Sequence, residues 1–218
     1  MPKGLHDLGG PTMCKRMQAE VDAVDASVYD AIVLGYGLCG NGLAGLVARS
    51  IPLVLPRAHD CITIFMGDRQ RYLDYFNSHP GVYFKTSGWI ERGGASEVSQ
   101  GMMQQQGFAS TREELVAKYG EENADYLMEE LTRYKSTYSQ FTFIEMGIEP
   151  DDRFERKAQE EATERGWKFE KMQGSMALIE ALINGEWDEG KFLVVPPGHR
   201  VVARYGDDCV IGAEKVEA

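Results

Sequence analysis

No apolar run in this sequence is long enough to cross a bilayer. The longest, Ala31 to Leu34 and Leu53 to Leu55, are broken within a few residues by Gly or Pro, far short of the roughly 20 residues a spanning helix needs. The first residues, Met1-Pro2-Lys3-Gly4, show no basic segment leading into an apolar stretch, so no secretory signal is legible and a cytoplasmic address is expected. Base is also scarce: 34 acidic against 23 basic residues leave a net charge of -11. That balance opposes a phosphate backbone, and no Lys/Arg cluster interleaved with aromatics offers a local exception, so neither nucleic acid nor a membrane is an expected partner. Cysteine is sparse as well. In a reducing compartment Cys14, Cys39, Cys61 and Cys209 read as free thiols, metal ligands or catalytic groups rather than as two disulfides. What remains, 43% apolar and 26% charged residues over 218 positions, is the balance of a globular chain, which excludes disordered, collagenous and coiled-coil readings.

Periodicity along the chain alternates between strand and helix. Met13, Met17, Val21 and Val24 recur at helical spacing, predicting an amphipathic helix over 12–24 with Thr12 as a cap. A buried strand is expected at 29–34, then a glycine-rich loop at 35–42, a short helix at 43–49 and a strand at 52–55. A helix over 62–77, kinked near Gly67, leads to a strand at 81–86. Residues 93–107, polar and carrying Gln104-Gln105-Gln106, read as a long loop, a feature often tied to function. Helices are expected at 111–118, where Thr111 and Glu114 form a capping-box pattern, and at 121–135. Strands at 141–146, 167–172 and 192–195 then alternate with helices at 152–165 and 175–183.

This alternation gives an α/β fold class, a mainly parallel Rossmann-like sheet flanked by helices, and the chain is read as one α/β domain over 1–218. Leu53-Val54-Leu55-Pro56-Arg57-Ala58-His59 echoes Leu193-Val194-Val195-Pro196-Pro197-Gly198-His199, which suggests two similar halves, 1–92 and 137–218, joined by 93–136. Pro is also simply a good terminator of a parallel strand.

The chemistry concentrates in two loops that follow consecutive expected strands. Both should leave the carboxyl edge of one sheet, where ligands of open α/β folds bind. One loop carries Cys39 among Gly37, Gly40 and Gly42, which leave backbone open to close approach. The other carries Arg57, His59, Asp60 and Cys61. Asp60 is placed to cap the next helix, putting Cys61 in its first turn, where free amides lower a thiol pKa. Cys39, His59 and Cys61, with Cys209 as a fourth donor, suit zinc or an iron–sulfur cluster. The alternative is that these are core cysteines and a capping histidine. Cys14, beside Met13 and Met17, reads as core, and His6 and His79 as surface or turn residues. His199 is open between cleft and surface. Gly35-x-Gly37-x-x-Gly40 with Asp60 beyond it also matches the dinucleotide fingerprint in form. The intervening Pro56-Arg57-Ala58-His59 and the short expected helix argue against that oxidoreductase reading.

The runs Tyr29-Asp30-Ala31-Ile32-Val33-Leu34-Gly35-Tyr36-Gly37-Leu38-Cys39-Gly40-Asn41-Gly42, Pro56-Arg57-Ala58-His59-Asp60-Cys61-Ile62, Gly88-Trp89-Ile90-Glu91 and Phe192-Leu193-Val194-Val195-Pro196-Pro197-Gly198 resemble the family catalogued as domain of unknown function 1638. The resemblance spans nearly the whole chain from Leu5-His6-Asp7 onward and brings no settled activity. It implies an accessory role in corrinoid-dependent methyl transfer or one-carbon metabolism, because members tend to occur beside corrinoid proteins and methyltransferases in anaerobic or methylotrophic bacteria and archaea. Carried over, the family's candidate ligands fall on Cys39, His59 and Cys61, with Tyr36, Arg57 and Asp60 as neighbours. Comparable members have a further strand before the Leu-His-Asp segment, often followed by a cysteine, a position for which only Cys14 or Cys209 could substitute here. The layout also resembles the iron–sulfur subunits of the 2-hydroxyacyl-CoA dehydratases.

The reading carried forward has Cys39 and Cys61 as thiolate ligands, and His59 as third ligand or proton donor with Asp60. Tyr36, Gly37, Gly40 and Arg57 line a cofactor or small-molecule site. Its rival is a non-catalytic module that presents the glycine loop and the polar segment to a corrinoid or to a partner methyltransferase protein. Trp89 could line either site.

Overall fold

The computed structural model describes residues 10–91, 116, 120–121, 123–126, 138–204 and 210–217. It divides into two compact units, one made of Met1–Leu73 with Gly174–Ala218 and the other of Asp74–Gln173.

In the first unit, helix α1 (Gly10–Asp22) buries Met13, Met17 and Val21. These are the positions that recur every three or four residues, so one apolar stripe faces the core. The stripe packs against a three-stranded sheet, β1 (Ile32–Val33), β2 (Leu53–Pro56) and β6 (Phe192–Val195), with β2 in the centre. The side chains of β2 alternate, as a strand covered on both faces requires. Leu53 and Leu55 join the α1 side of the core, whereas Val54 packs with Leu178, Leu182 and Phe192 under helix α6 (Ala177–Asn184). A hairpin, β7 (His199–Ala203) and β8 (Ile211–Lys215), closes the first side with Val201 and Ile211.

The second unit holds the sheet that the alternation predicts: β3 (Val82–Thr86), β4 (Gln140–Glu145) and β5 (Lys168–Gln173), all parallel with β4 central. Helix α5 (Arg153–Arg165) crosses from β4 to β5 and presents Ala158 and Ala162 to the sheet, small enough for close approach. Phe143, Ile90 and Ala158 form that side's core, with Ile90 coming from the short helix α4 (Ser87–Glu91). On the same side the buried ammonium of Lys85, 2% exposed, is paired with Glu161 of α5 and lies 4.1 Å from the Phe141 ring centroid. The other face carries a hydrogen-bonded polar cluster that sequence reasoning did not find. Tyr75 Oη meets Thr142 Oγ1 at 2.8 Å, and Gln140 Nε2 donates to both. His79 stacks on Tyr75 and sits 3.8 Å from Glu170.

Three expectations change. The helix expected at 43–49 is not formed. Residues 45–48 instead run extended beside β7, with Gly45 N donating to Val201 O, Val201 N to Leu46 O and Ala48 N to His199 O. The chain turns through positive φ at Cys39, Gly40 and Asn41 just before the expected helix and again at Gly45 within it, which a helix cannot accommodate. The expected strand at 29–34 narrows to Ile32–Val33. Finally, the two echoing segments are antiparallel neighbours, Leu53 opposite Val195 and Leu55 opposite Leu193. Their following loops, with His59 and His199, therefore leave opposite edges of the same sheet.

Other expectations hold closely. The helix over 62–77 divides into α2 (Cys61–Met66) and α3 (Arg69–Ser78) at Gly67, whose φ of 75° provides the left-handed cap. Residues 93–107 lie outside the described residues, as does most of 111–135, of which 116, 121 and 123–126 are helical.

Candidate functional site

Parallel pairing of β1 with β2 continues past both strands into the loops. Leu38 N donates to Ala58 O and Cys39 N to His59 O, each at 2.9 Å. That zipper carries Cys39 up to the segment that starts α2. The approach is close enough that a Cβ on Gly37 would lie 2.7 Å from the Asp60 Cα and carbonyl carbon, so only glycine fits there. Beyond Gly37 the chain turns sharply, and Cys39 itself sits at φ 46°. A non-glycine residue in this region is strained by roughly 1–3 kcal/mol, and such strain gathers at functional positions.

On the facing loop, Asp60 caps α2. Its Oδ1 accepts from Ile62 N at 3.0 Å and Thr63 N at 3.2 Å, and its Oδ2 accepts from the Tyr72 hydroxyl at 3.2 Å. Burial first, and the Asp60 charge second, push the Tyr72 hydroxyl well above its ordinary pKa, so it acts as a fixed donor. The cap predicted from sequence is therefore formed, and Tyr72 is a supporting residue that sequence reading missed. Its only signal was helical spacing along the residues after Asp60.

The two thiols meet. Cys39 Sγ is hydrogen-bonded by the Cys61 thiol, which lowers its pKa. Burial and the Asp60 charge oppose that shift, while the amides of Cys61 and Gly37 reinforce it. The same contact raises Cys61 well above an ordinary thiol, with burial and the charges of Cys39 and Asp60 adding to the effect. The Cys61 amide at the start of α2 favours the thiolate of both cysteines, but at Cys61 the contact with Cys39 and burial outweigh it, so the lowering expected for Cys61 falls on Cys39. Of the two, Cys39 is the thiol more readily ionised, with Cys61 as the donor to it.

In the metal-free protein, alkylation of Cys39 should accordingly reach half its maximal rate below the ordinary thiol value of 9. Cys61→Ala should move that midpoint upward, because the thiolate loses its donor. A pH profile followed by mass spectrometry measures both, and an unchanged midpoint in the variant would refute the hydrogen bond from Cys61 as the cause of the shift.

The other expected members of the site are placed differently. The His59 ring is exposed, and His59 contributes its main-chain carbonyl to the zipper. Among the described residues no three His, Cys, Asp or Glu side chains converge as a metal would require. Of the expected trio of Cys39, His59 and Cys61, the structure brings the two thiols together and leaves His59 exposed. Cys209 lies outside the described residues. Arg57 is a structural clamp: its Nε donates to Glu189 O and Phe192 O, and its Nη1 to Ile211 O at 2.9 Å. Tyr36 packs half-buried on the core, its pKa raised by burial and then by the Cys39 charge. Gly40, at φ 62° beside Cys39, serves the turn. Cys14 belongs to the core edge with its thiol pushed up by burial, as expected. Trp89 lies in α4 of the second unit.

With no helix after Gly42, the glycine loop lacks the N-terminal amides that hold a pyrophosphate, and the dinucleotide reading is withdrawn.

The family model DUF1638, described as a protein of unknown function, matches residues 1–183. The chain belongs to the DUF1638 family. No curated protein and no solved structure matches it. The match takes in both loops of the site, so the thiol pair lies within the part of the chain that defines a DUF1638 member. Among the described residues of this member, no helix is long and apolar enough to cross a membrane.

Proposed function

We propose that this DUF1638 protein binds zinc or an iron–sulfur cluster through Cys39 and Cys61. The observation that supports this reading is the meeting of two thiols, delivered by loops after adjacent parallel strands. Thiolates are the donors these centres favour, and the contact with Cys61 lowers the pKa of Cys39 toward that form. Two sulfurs leave coordination positions to be filled by Cys209, by a partner or by a substrate. A centre with an open position polarises a small ligand. The family's expected service in corrinoid-dependent methyl transfer would draw on that property, in an accessory or redox role.

Protein purified without oxygen and without an affinity-bound metal should carry stoichiometric zinc, or iron with acid-labile sulfide and a visible absorption band. Cys39→Ser and Cys61→Ser should each lose it, while Cys14→Ser should keep it. Absence of metal after reconstitution, or full retention in both site variants, would overturn the proposal. Cobalamin binding by metal-free protein would turn the reading toward the non-catalytic module.

A second reading follows from the contact itself. Two hydrogen-bonded thiols with no third donor among the described residues also suit a dithiol that cycles with a disulfide. In the same preparation, metal-free protein that forms a Cys39–Cys61 disulfide with oxidised glutathione would favour this reading over the metal centre.

A further inference from the structure

The thiol pair is half of a coordination set. Closed zinc sites take four donors, and iron–sulfur clusters are held by four thiolates, whereas the two loops of the first unit deliver two sulfurs, Cys39 and Cys61, side by side. Both cysteines are half-buried, so each keeps part of its surface in solvent. On the same two loops Gly35, Gly40, Asn41 and His59 are exposed. A Cβ on Gly35 or on Gly40 would meet nothing within 4 Å. The main chain on either side of Cys39 is therefore bare and open, which lets another backbone come close to the sulfurs.

Charge indicates what supplies the other half. The run from Ala31 to Ala48, which holds β1 and the glycine loop, carries no charged side chain, in a chain that is 26% charged with a net charge of -11. Two copies of so acidic a chain repel each other, and a neutral segment is where they can approach. On the facing loop the charged groups are committed within the chain. Asp60 accepts from the amides of Ile62 and Thr63 and from the Tyr72 hydroxyl, and Arg57 donates to main-chain carbonyls. A strongly acidic or basic partner gains no counter-charge from such a loop, whereas a second copy meets a neutral surface like its own. A two-fold axis beside the pair brings up the same two cysteines again, and such a contact closes as a dimer. Four sulfurs then surround one centre, the set that suits tetrahedral zinc or an iron–sulfur cluster.

We propose that the centre held by Cys39 and Cys61 bridges two copies of this chain, each copy giving two thiolates. The inference rests on the metal reading above and names the partner that fills the remaining positions. Metal-free whole chain should be a monomer by light scattering and should become a dimer as zinc, or iron with sulfide, is added. Native mass spectrometry should then find one zinc ion, or one cluster, for every two chains. Cys39→Ser and Cys61→Ser should each abolish the metal-dependent dimer, while Cys209→Ser should keep it. Asn41→Asp is nearly isosteric and is tolerated at the φ of 68° found there. It sets a like charge on each copy at the contact, so it should weaken metal-dependent dimerisation at least about tenfold at low ionic strength, with recovery in high salt. One centre per monomer, or a centre lost in Cys209→Ser, would overturn the bridge and leave the metal reading standing. No metal in any preparation would overturn both. A dimer that forms equally well without metal, or an Asn41→Asp chain that dimerises as the parent does at low salt, would also overturn the bridge.

Discussion

Gly37→Ala should destabilise the protein by roughly 3 kcal/mol, the upper part of the range for forcing a methyl group into a packed site. The new Cβ would stand 2.7 Å from two backbone atoms of Asp60 and 2.8 Å from its carbonyl oxygen. Backbone cannot rotate out of the way as a side-chain tip can, so the two loops must separate. Separation stretches the bonds from Leu38 N to Ala58 O and from Cys39 N to His59 O, each worth about 1 kcal/mol net. It also parts the sulfurs, so Cys39 should lose its low pKa together with the stability. Gly35→Ala is the control, because a Cβ there meets nothing within 4 Å and its φ is not positive. It should stay within about 0.5 kcal/mol of the parent. Urea denaturation with alkylation of the thiols measures both effects. Equal stability of the two alanine variants would show that the loops do not approach as described.

Glu161→Ala should cost roughly 3 kcal/mol for a different reason: it leaves a buried ammonium without its counter-ion. Lys85 is 2% exposed, while the Glu161 side chain keeps 22% of its surface in solvent, which argues for the lower end of the usual range. Burial already lowers the Lys85 pKa, with the Glu161 contact opposing the shift and the charges of Arg165 and Lys157 adding to it. Removing Glu161 leaves only the lowering influences. Between the depressed folded value and the ordinary lysine value of 10.5, the unfolded chain holds the proton that the folded one has lost. Stability therefore rises with pH in that window, and the deficit of Glu161→Ala should shrink as pH climbs toward its upper limit. Adding Lys85→Met should recover much of the loss at neutral pH, since methionine fills similar space without a charge. Denaturation midpoints across pH decide it. A pH-independent deficit, or a double variant no more stable than Glu161→Ala, would show that the pair does not act through desolvation.

How much of this was legible beforehand depends on the range of the interaction. The stripe of Met13, Met17 and Val21 and the apolar run at β6 are local patterns, and both form as read. Asp60 as a cap and Gly67 as a break are equally local, because each acts within four residues of itself. The helix expected at 43–49 failed because its residues satisfy their backbone with β7, some 150 positions later, a partner that no window of sequence contains. The antiparallel placement of β6 beside β2 was hidden for the same reason: an apolar strand reads alike in either direction. Nothing in the strand pattern at 81–86 marks Lys85 as buried, because its burial depends on Glu161 arriving from α5.

At the site the same division holds. The sequence by itself determined which chemistry is present, two cysteines and an aspartate in loops after consecutive strands, because composition and strand order are local properties. The tertiary structure decided that the Cys39 and Cys61 thiols meet, that His59 contributes its backbone to the contact between the loops, and that Arg57 clamps carbonyls. Those outcomes depend on distances of a few ångströms between segments far apart in the chain. Only the packed backbone, with Gly37 pressed against Asp60, sets such distances.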